Sequence, residues 1–149
     1  MHDEKTLKKY IVNLLKHAGD IQRHEDKYES GIPDLSFGIF GINGWIELKY
    51  KKAWPKRSTT KVKFNHFTNK QRTWLKTRGQ AGGHCFVIIQ ISTDYLLFDW
   101  RKIDSIGDLT KEKMFEKASL YWDKKFSGTW NRRSIMLNLI HGLTGMDMY

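Results

Sequence analysis

The chain has 149 residues, 40% hydrophobic and 13% aromatic, enough for one ordinary domain with a core and too apolar for a disordered chain. No apolar run nears the roughly 18 residues that a membrane span requires, and the charged residues 1–9 have no apolar signal core behind them. One cysteine excludes an internal disulfide or a cysteine-built zinc site, and a formal charge of +10 points to an anionic partner.

Residues 3–18 read as an amphipathic helix, with Leu7, Tyr10, Ile11, Leu14, Leu15 and Ala18 in one stripe and Gly19 as its stop. Residues 21–30 are polar and suit a short strand or an irregular approach. Two strands follow, 34–40 and 45–50, joined through glycine-rich turn residues, and then a basic loop over 53–67. Thr68 begins a second helix that ends at Gly79. After Gly82 and Gly83, residues 84–91 form the most hydrophobic run in the chain, a central buried strand holding Cys85 as a small buried hydrophobe. Residues 94–100 are its hairpin partner. Beyond them, 111–118 suit a helix, and Asn131 caps a last one through Ser134, Ile135, Leu139 and Ile140. The order α-β-β-α-β-β-α indicates an α/β or α+β fold, a mixed sheet with helices on its faces. With no repeat and no linker-like tract, it is a single domain over 1–149: a core at about 3–100 and an extension, 101–149, without an assigned role.

The charge is not spread evenly. Between Glu47 and Asp94 there is no Asp or Glu, and the stretch holds eleven of the 26 Lys and Arg residues: Lys49, Lys51, Lys52, Lys56, Arg57, Lys61, Lys63, Lys70, Arg72, Lys76 and Arg78. That leaves 15 bases against all 16 acids elsewhere. A one-sign block is the footprint of a polyanion site, first of all nucleic acid, whose condensed counterions clustered Lys and Arg displace. An acidic protein or anionic lipid fits the charge as well, although no basic amphipathic helix of the membrane-surface kind stands out. The loop interleaves Lys51, Lys52, Lys56, Arg57, Lys61 and Lys63 with Trp54, Pro55, Ser58, Thr59 and Thr60, groups suited to phosphate contact. Trp54 suits stacking on an unpaired base or a satellite core position.

Strand alternation carries the chemistry. Glu47 and Lys49 share one face, opposite Ile46, Leu48 and Tyr50; Asp34 and Ser36 lie opposite Leu35, Phe37 and Ile39. The polar sets of the two strands can face the same side. A tight turn at Asn43–Gly44 sets Asp34 against Ala53, out of reach of Glu47. A wide loop centred near Gly41 sets it against Leu48, flanked by Glu47 and Lys49, and is the expected register. Two carboxylates suit Mg2+, a hard cation that takes oxygen ligands, and a nearby lysine can orient a water or stabilise charge on phosphorus. The plain alternative is a surface Glu–Lys pair beside an unrelated Asp. No H-E-x-x-H zinc motif, phosphate loop or G-x-S-x-G elbow is present; among the histidines, His66 and His84 lie nearest the site in sequence.

The run Gly31-Ile32-Pro33-Asp34-Leu35 followed by Trp45-Ile46-Glu47-Leu48-Lys49 resembles the signature of the PD-(D/E)XK nuclease superfamily, in particular VRR-NUC-type and phage Holliday-junction-resolvase-like members. Phe67-Thr68-Asn69-Lys70-Gln71 and the strand 84–91 match the continuation, so the likeness covers about residues 4–91. The resemblance implies a restriction-endonuclease-like fold and a Mg2+-dependent DNA endonuclease, with Mn2+ able to substitute, selectivity for branched DNA and a homodimer. The missing phosphate loop and the lack of a long apolar run argue for no nucleotide cofactor and no membrane, and the lone cysteine suits a reducing cytoplasm, the host's for a phage-like source. Asp34 and Glu47 match the metal-binding acids, with the Leu48 carbonyl as a third ligand, and Lys49 matches the catalytic lysine. Glu4 best matches a helical glutamate that reaches the metal, whereas Asp3 suits an N-cap. Gln71 matches a glutamine near the site, and Thr68-x-x-Gln71 is also a capping box. A less selective DNA nuclease and a non-catalytic nucleic-acid-binding module remain the alternatives.

Overall fold

The computed structural model describes residues 3–25, 31–123 and 131–146. Positions 26–30, the second half of the polar segment, lie outside them. Helix α1 (Glu4–Leu15) starts on Asp3, whose carboxylate accepts the Thr6 N–H at 2.8 Å, and buries Leu7, Ile11, Leu14 and Leu15. It ends four residues before Gly19, the expected stop. Gly19 serves the next element instead. A Cβ there would lie 2.2 Å from the Gly38 carbonyl oxygen, so glycine is what lets β1 (Asp20–Arg23) start tight against β2 (Leu35–Ile39).

Strands β2 and β3 (Ile42–Lys51) form a hairpin whose register corrects the sequence expectation. Phe40 and Gly41 alone make the turn, both at positive φ (52° and 80°), as a two-residue type I′ hairpin requires. Ile39 pairs with Ile42 and Leu35 with Ile46. One further step along this ladder sets Asp34 against Glu47, not against Leu48 as the wide loop would have it. A one-residue slip exchanges the faces of a strand, so the expected register would have carried Asp34 to the apolar side. The tight turn keeps Asp34, Ser36, Trp45, Glu47 and Lys49 on one face, and Leu35, Phe37, Ile46 and Leu48 on the other.

Strand β3 runs parallel to β4 (His84–Ile91) through the crossover helix α2 (Asn69–Gln80), and β5 (Asp94–Asp99) and β6 (Leu120–Asp123) follow antiparallel. The six strands are ordered β1-β2-β3-β4-β5-β6. Both faces are covered, which explains the unbroken apolar run of β4. On one side α1 and α4 (Arg132–Thr144) pack Leu7, Ile11, Leu15, Leu139 and Leu143 over Ile46 and Leu48. On the other, α2, a 3-10 helix (Trp100–Ser105), α3 (Lys111–Lys117) and the loop after β3 cover Val87, Ile89, Leu96 and Phe98.

This is the expected mixed sheet flanked by helices, enlarged by the short edge strands β1 and β6. Asn131 caps α4 by accepting the Ser134 N–H at 2.9 Å, and the helix turns Ile135, Leu139, Ile140 and Leu143 into the chain's own core. Helix α2 is capped by Thr68 and runs to Gln80, past Gly79. At Gly79 a Cβ would fall 2.3 Å from the Trp100 ring, so that glycine makes room for an indole rather than ending the helix. Among the described residues no helix is long and apolar enough to cross a membrane.

Candidate active site

Strand alternation delivers Glu47 and Lys49 to the interior of the α2 side, where they are 1% and 2% exposed. The Lys49 Nζ lies 3.1 Å from Glu47 Oε2 and 3.8 Å from Glu4 Oε1. It donates to the His66 carbonyl at 3.3 Å and sits 5.3 Å from the Phe67 ring centroid. Dehydrating two such charges costs several kcal/mol per ion, and well-packed apolar residues often serve stability as well. The pair is therefore a cost to the fold that a chemical role would explain.

Asp34 arrives from the other strand. Gly31, at φ +71°, is flush against the start of α2, where a Cβ would meet the Lys70 carbonyl oxygen at 2.7 Å. Three residues later Asp34 Oδ2 accepts the Leu48 N–H at 2.8 Å, tying this carboxylate to the backbone between Glu47 and Lys49. Glu4, in the first turn of α1, sets Oε1 3.2 Å from His66 Nε2. Burial first, and then the Lys49 charge, push the His66 pKa below its ordinary value, with Glu4 opposing.

Among the described residues no group of three or more His, Cys, Asp or Glu side chains is gathered closely enough to form a metal cage, and Glu4 is directed to Lys49 and His66. The two carboxylates that the hairpin sets across from each other, Asp34 and Glu47, are both oxygen donors. That chemistry fits Mg2+, which is usually bound through one or two carboxylates while water and substrate phosphate fill the remaining positions.

No protein-family model matches the chain, and no curated protein matches it in sequence. In structure it is similar to the Holliday junction resolvase Hjc of Archaeoglobus fulgidus, an archaeal hyperthermophile, with a TM-score of 0.54. The two chains are 13% identical over 77% of this chain and 93% of that one. The fold is shared with Hjc. At this identity the likeness concerns the sheet and its helices, and the side chains are read from this chain alone.

Gln71 closes the capping box: its Oε1 accepts the Thr68 N–H at 3.0 Å while Thr68 Oγ1 accepts the Gln71 N–H at 3.2 Å. That places it at the start of α2, against Gly31. The loop after β3 is pinned by buried Val62, Phe64 and Phe67 and by a bridge from Val62 to Leu109. Lys51 donates to the Lys63 carbonyl at 2.7 Å and Lys61 pairs with Asp108 at 2.7 Å. Arg72 donates to the carbonyls of Ile103 and Ile106, both at 2.9 Å, so part of the basic block serves the fold. Lys52, Lys56, Arg57 and Lys63 are exposed. Trp54 donates to Asp94 Oδ2 at 2.8 Å and packs on Phe115, a satellite of the core.

Two residues beside the site escaped the sequence reading. His24 donates its backbone N–H to the Asp34 carbonyl at 2.9 Å and sets its ring 2.9 Å from Ser36 Oγ, 5.2 Å from the Trp45 ring. Lys8 is buried in α1, 3.4 Å from the His24 carbonyl and 3.5 Å from Glu25. For Lys8 a signal existed, since it follows Glu4 by one helical turn and interrupts the apolar stripe. His24 had none, and His84 lies opposite Gly44, at the far end of β3.

Proposed function

We propose that the chain is a Mg2+-dependent endonuclease that hydrolyses phosphodiester bonds of DNA, with branched duplexes as its preferred substrate. The observation that carries this reading is the buried Glu47–Lys49 pair beside Asp34, in a fold shared with a protein described as a Holliday junction resolvase. Asp34, Glu47 and the Leu48 carbonyl would hold the ion, which when bound supplies Lewis acidity toward a phosphate oxygen and a more acidic water; Mn2+ would substitute. Lys49 is oriented by Glu47, Glu4 and the His66 carbonyl and is almost fully buried, so the half-exposed Glu4 draws aside for the ammonium to meet the scissile phosphate. There it orients the attacking water and offsets negative charge on phosphorus. Burial lowers the local dielectric and strengthens that interaction. Glu4 holds the outer side of Lys49, and Gln71 contributes a polar group beside the Gly31–Asp34 turn. Lys52, Lys56, Arg57 and Lys63 are the exposed bases with which the loop grips the backbone, while Lys51 and Lys61 brace the loop itself. Paired cuts in a branched molecule require one active site per strand, hence a symmetric dimer.

The test uses labelled four-way junction, nicked, single-stranded and linear duplex DNA, each with Mg2+ or EDTA. Symmetric Mg2+-dependent incisions in the junction alone are the expected result. Equal cleavage of every substrate would leave a general nuclease, and binding without cleavage under Mg2+ or Mn2+ would leave a nucleic-acid-binding module.

A further inference from the structure

Beyond the C-terminal end of β3 the loop and α3 line an open pocket of about 400 Å3, within the size range of small-ligand sites. Trp54 and Phe115 form one wall, their ring centroids 5.5 Å apart and their planes inclined by 34°. The indole is fixed by its bond to Asp94, and Lys111 Nζ stands 5.0 Å from its centroid. Lys56, Arg57 and Glu112 complete the polar lining; Lys56 and Arg57 are exposed, and neither makes a side-chain hydrogen bond or ion pair with another described residue. An anchored aromatic wall beside three cations answers two features of a nucleotide at once: a π-face to stack and a phosphate to neutralise. Glu112 adds an acceptor for the amino group of a base.

Position agrees with that chemistry. Trp54 stands five positions after Lys49, a reach of at most about 18 Å of extended chain. At about 3.4 Å per base along a duplex strand, that is within roughly five base steps. We propose that this pocket receives one unpaired nucleotide of the DNA strand lying across Asp34, Glu47 and Lys49, its base against Trp54 and Phe115 and its phosphate at Lys56, Arg57 and Lys111. The inference rests on the nuclease reading for its ligand class and gives it a device for preferring branched or distorted DNA, in which bases are already unstacked.

The test is run in EDTA on the Glu47→Gln chain, so that binding is read without cleavage. Two duplexes of equal length are compared by fluorescence anisotropy, one fully paired and one with a single bulged 2-aminopurine, whose emission reports stacking. The bulged duplex is expected to bind about ten-fold more tightly, the scale of one base–aromatic contact, with a change in 2-aminopurine emission on binding. Trp54→Leu is expected to abolish both the preference and the emission change while paired-duplex affinity stays within two-fold. Lys56→Ala with Arg57→Ala, on exposed positions that leave the fold intact, is expected to reduce the preference as well. Equal binding of the two duplexes by the Glu47→Gln chain, or retention of the preference in the Lys56/Arg57 variant, would overturn the proposal. Displacement of the bulged duplex by micromolar free dAMP would overturn it in favour of a free-nucleotide site. Absence of cleavage in the substrate panel leaves these binding results standing, so the two readings fail separately.

Discussion

At the scale of single residues, Glu47 and Lys49 are a buried ion pair whose dehydration the fold must bear. Lys49→Ala leaves the Glu47 carboxylate buried without its counter-charge, a loss of about 3–5 kcal/mol in comparable cases. Replacing both, as Glu47→Leu with Lys49→Met, removes two dehydrated charges at little change in volume. That double variant is expected to match the parent or to exceed it by about 1–4 kcal/mol in urea denaturation, while cleavage disappears. A double variant markedly less stable than the parent would show the pair to be a net support of the fold. Cys85 offers a pH test. Burial pushes its thiol up to about 11, so it is expected to resist alkylation at pH 8 until the chain is unfolded. The folded state keeps this proton to higher pH than the unfolded state. Its contribution to stability is therefore complete below the ordinary thiol pKa near 9 and is lost as pH rises from there toward 11.

At the scale of elements, local chemistry explains most of what the sequence shows. The Asp3 cap, the Thr68–Gln71 capping box and the alternation of β3 each depend on neighbours within four residues, and each was legible. Thr68→Ala is expected to cost about 1 kcal/mol, measured as a fall in melting temperature. What the sequence hid depends on distant partners. Gly79 reads as a stop until Trp100, 21 positions later, is seen packed on it. The hairpin register was obscured because Phe40, a bulky residue, occupies a positive-φ turn position at 55% exposure, where Asn or Gly is the usual signal. Phe40→Asn is expected to stabilise the hairpin by up to about 1 kcal/mol; a fall in stability would show that the ring has a packing role. His24 was missed for a related reason, since only the folded sheet brings it against Asp34.

At the scale of the whole molecule, the acid-free block divides into bases that brace the fold and bases that stay exposed. Lys61 and Lys76 pair with Asp108 and Asp104, and Arg72 holds the carbonyls of the 3-10 turn. Lys52, Lys56, Arg57 and Lys63 stay exposed. Replacing Lys52 and Lys63 by alanine is expected to lower the slope of log affinity against log salt by about 0.9 for each phosphate no longer neutralised, with duplex and branched DNA affected alike. An unchanged slope would place the DNA on another face.

Whether Asp34, Glu47 and Lys49 form a hydrolytic centre is decided by single-turnover cleavage of a four-way junction by the parent chain and by Glu47→Gln. With Mg2+ the parent is expected to cut, and the variant to bind as tightly but cut at least about 100-fold more slowly, with EDTA silencing both. Cleavage by the Glu47→Gln chain at the parental rate would contradict the assignment of the site.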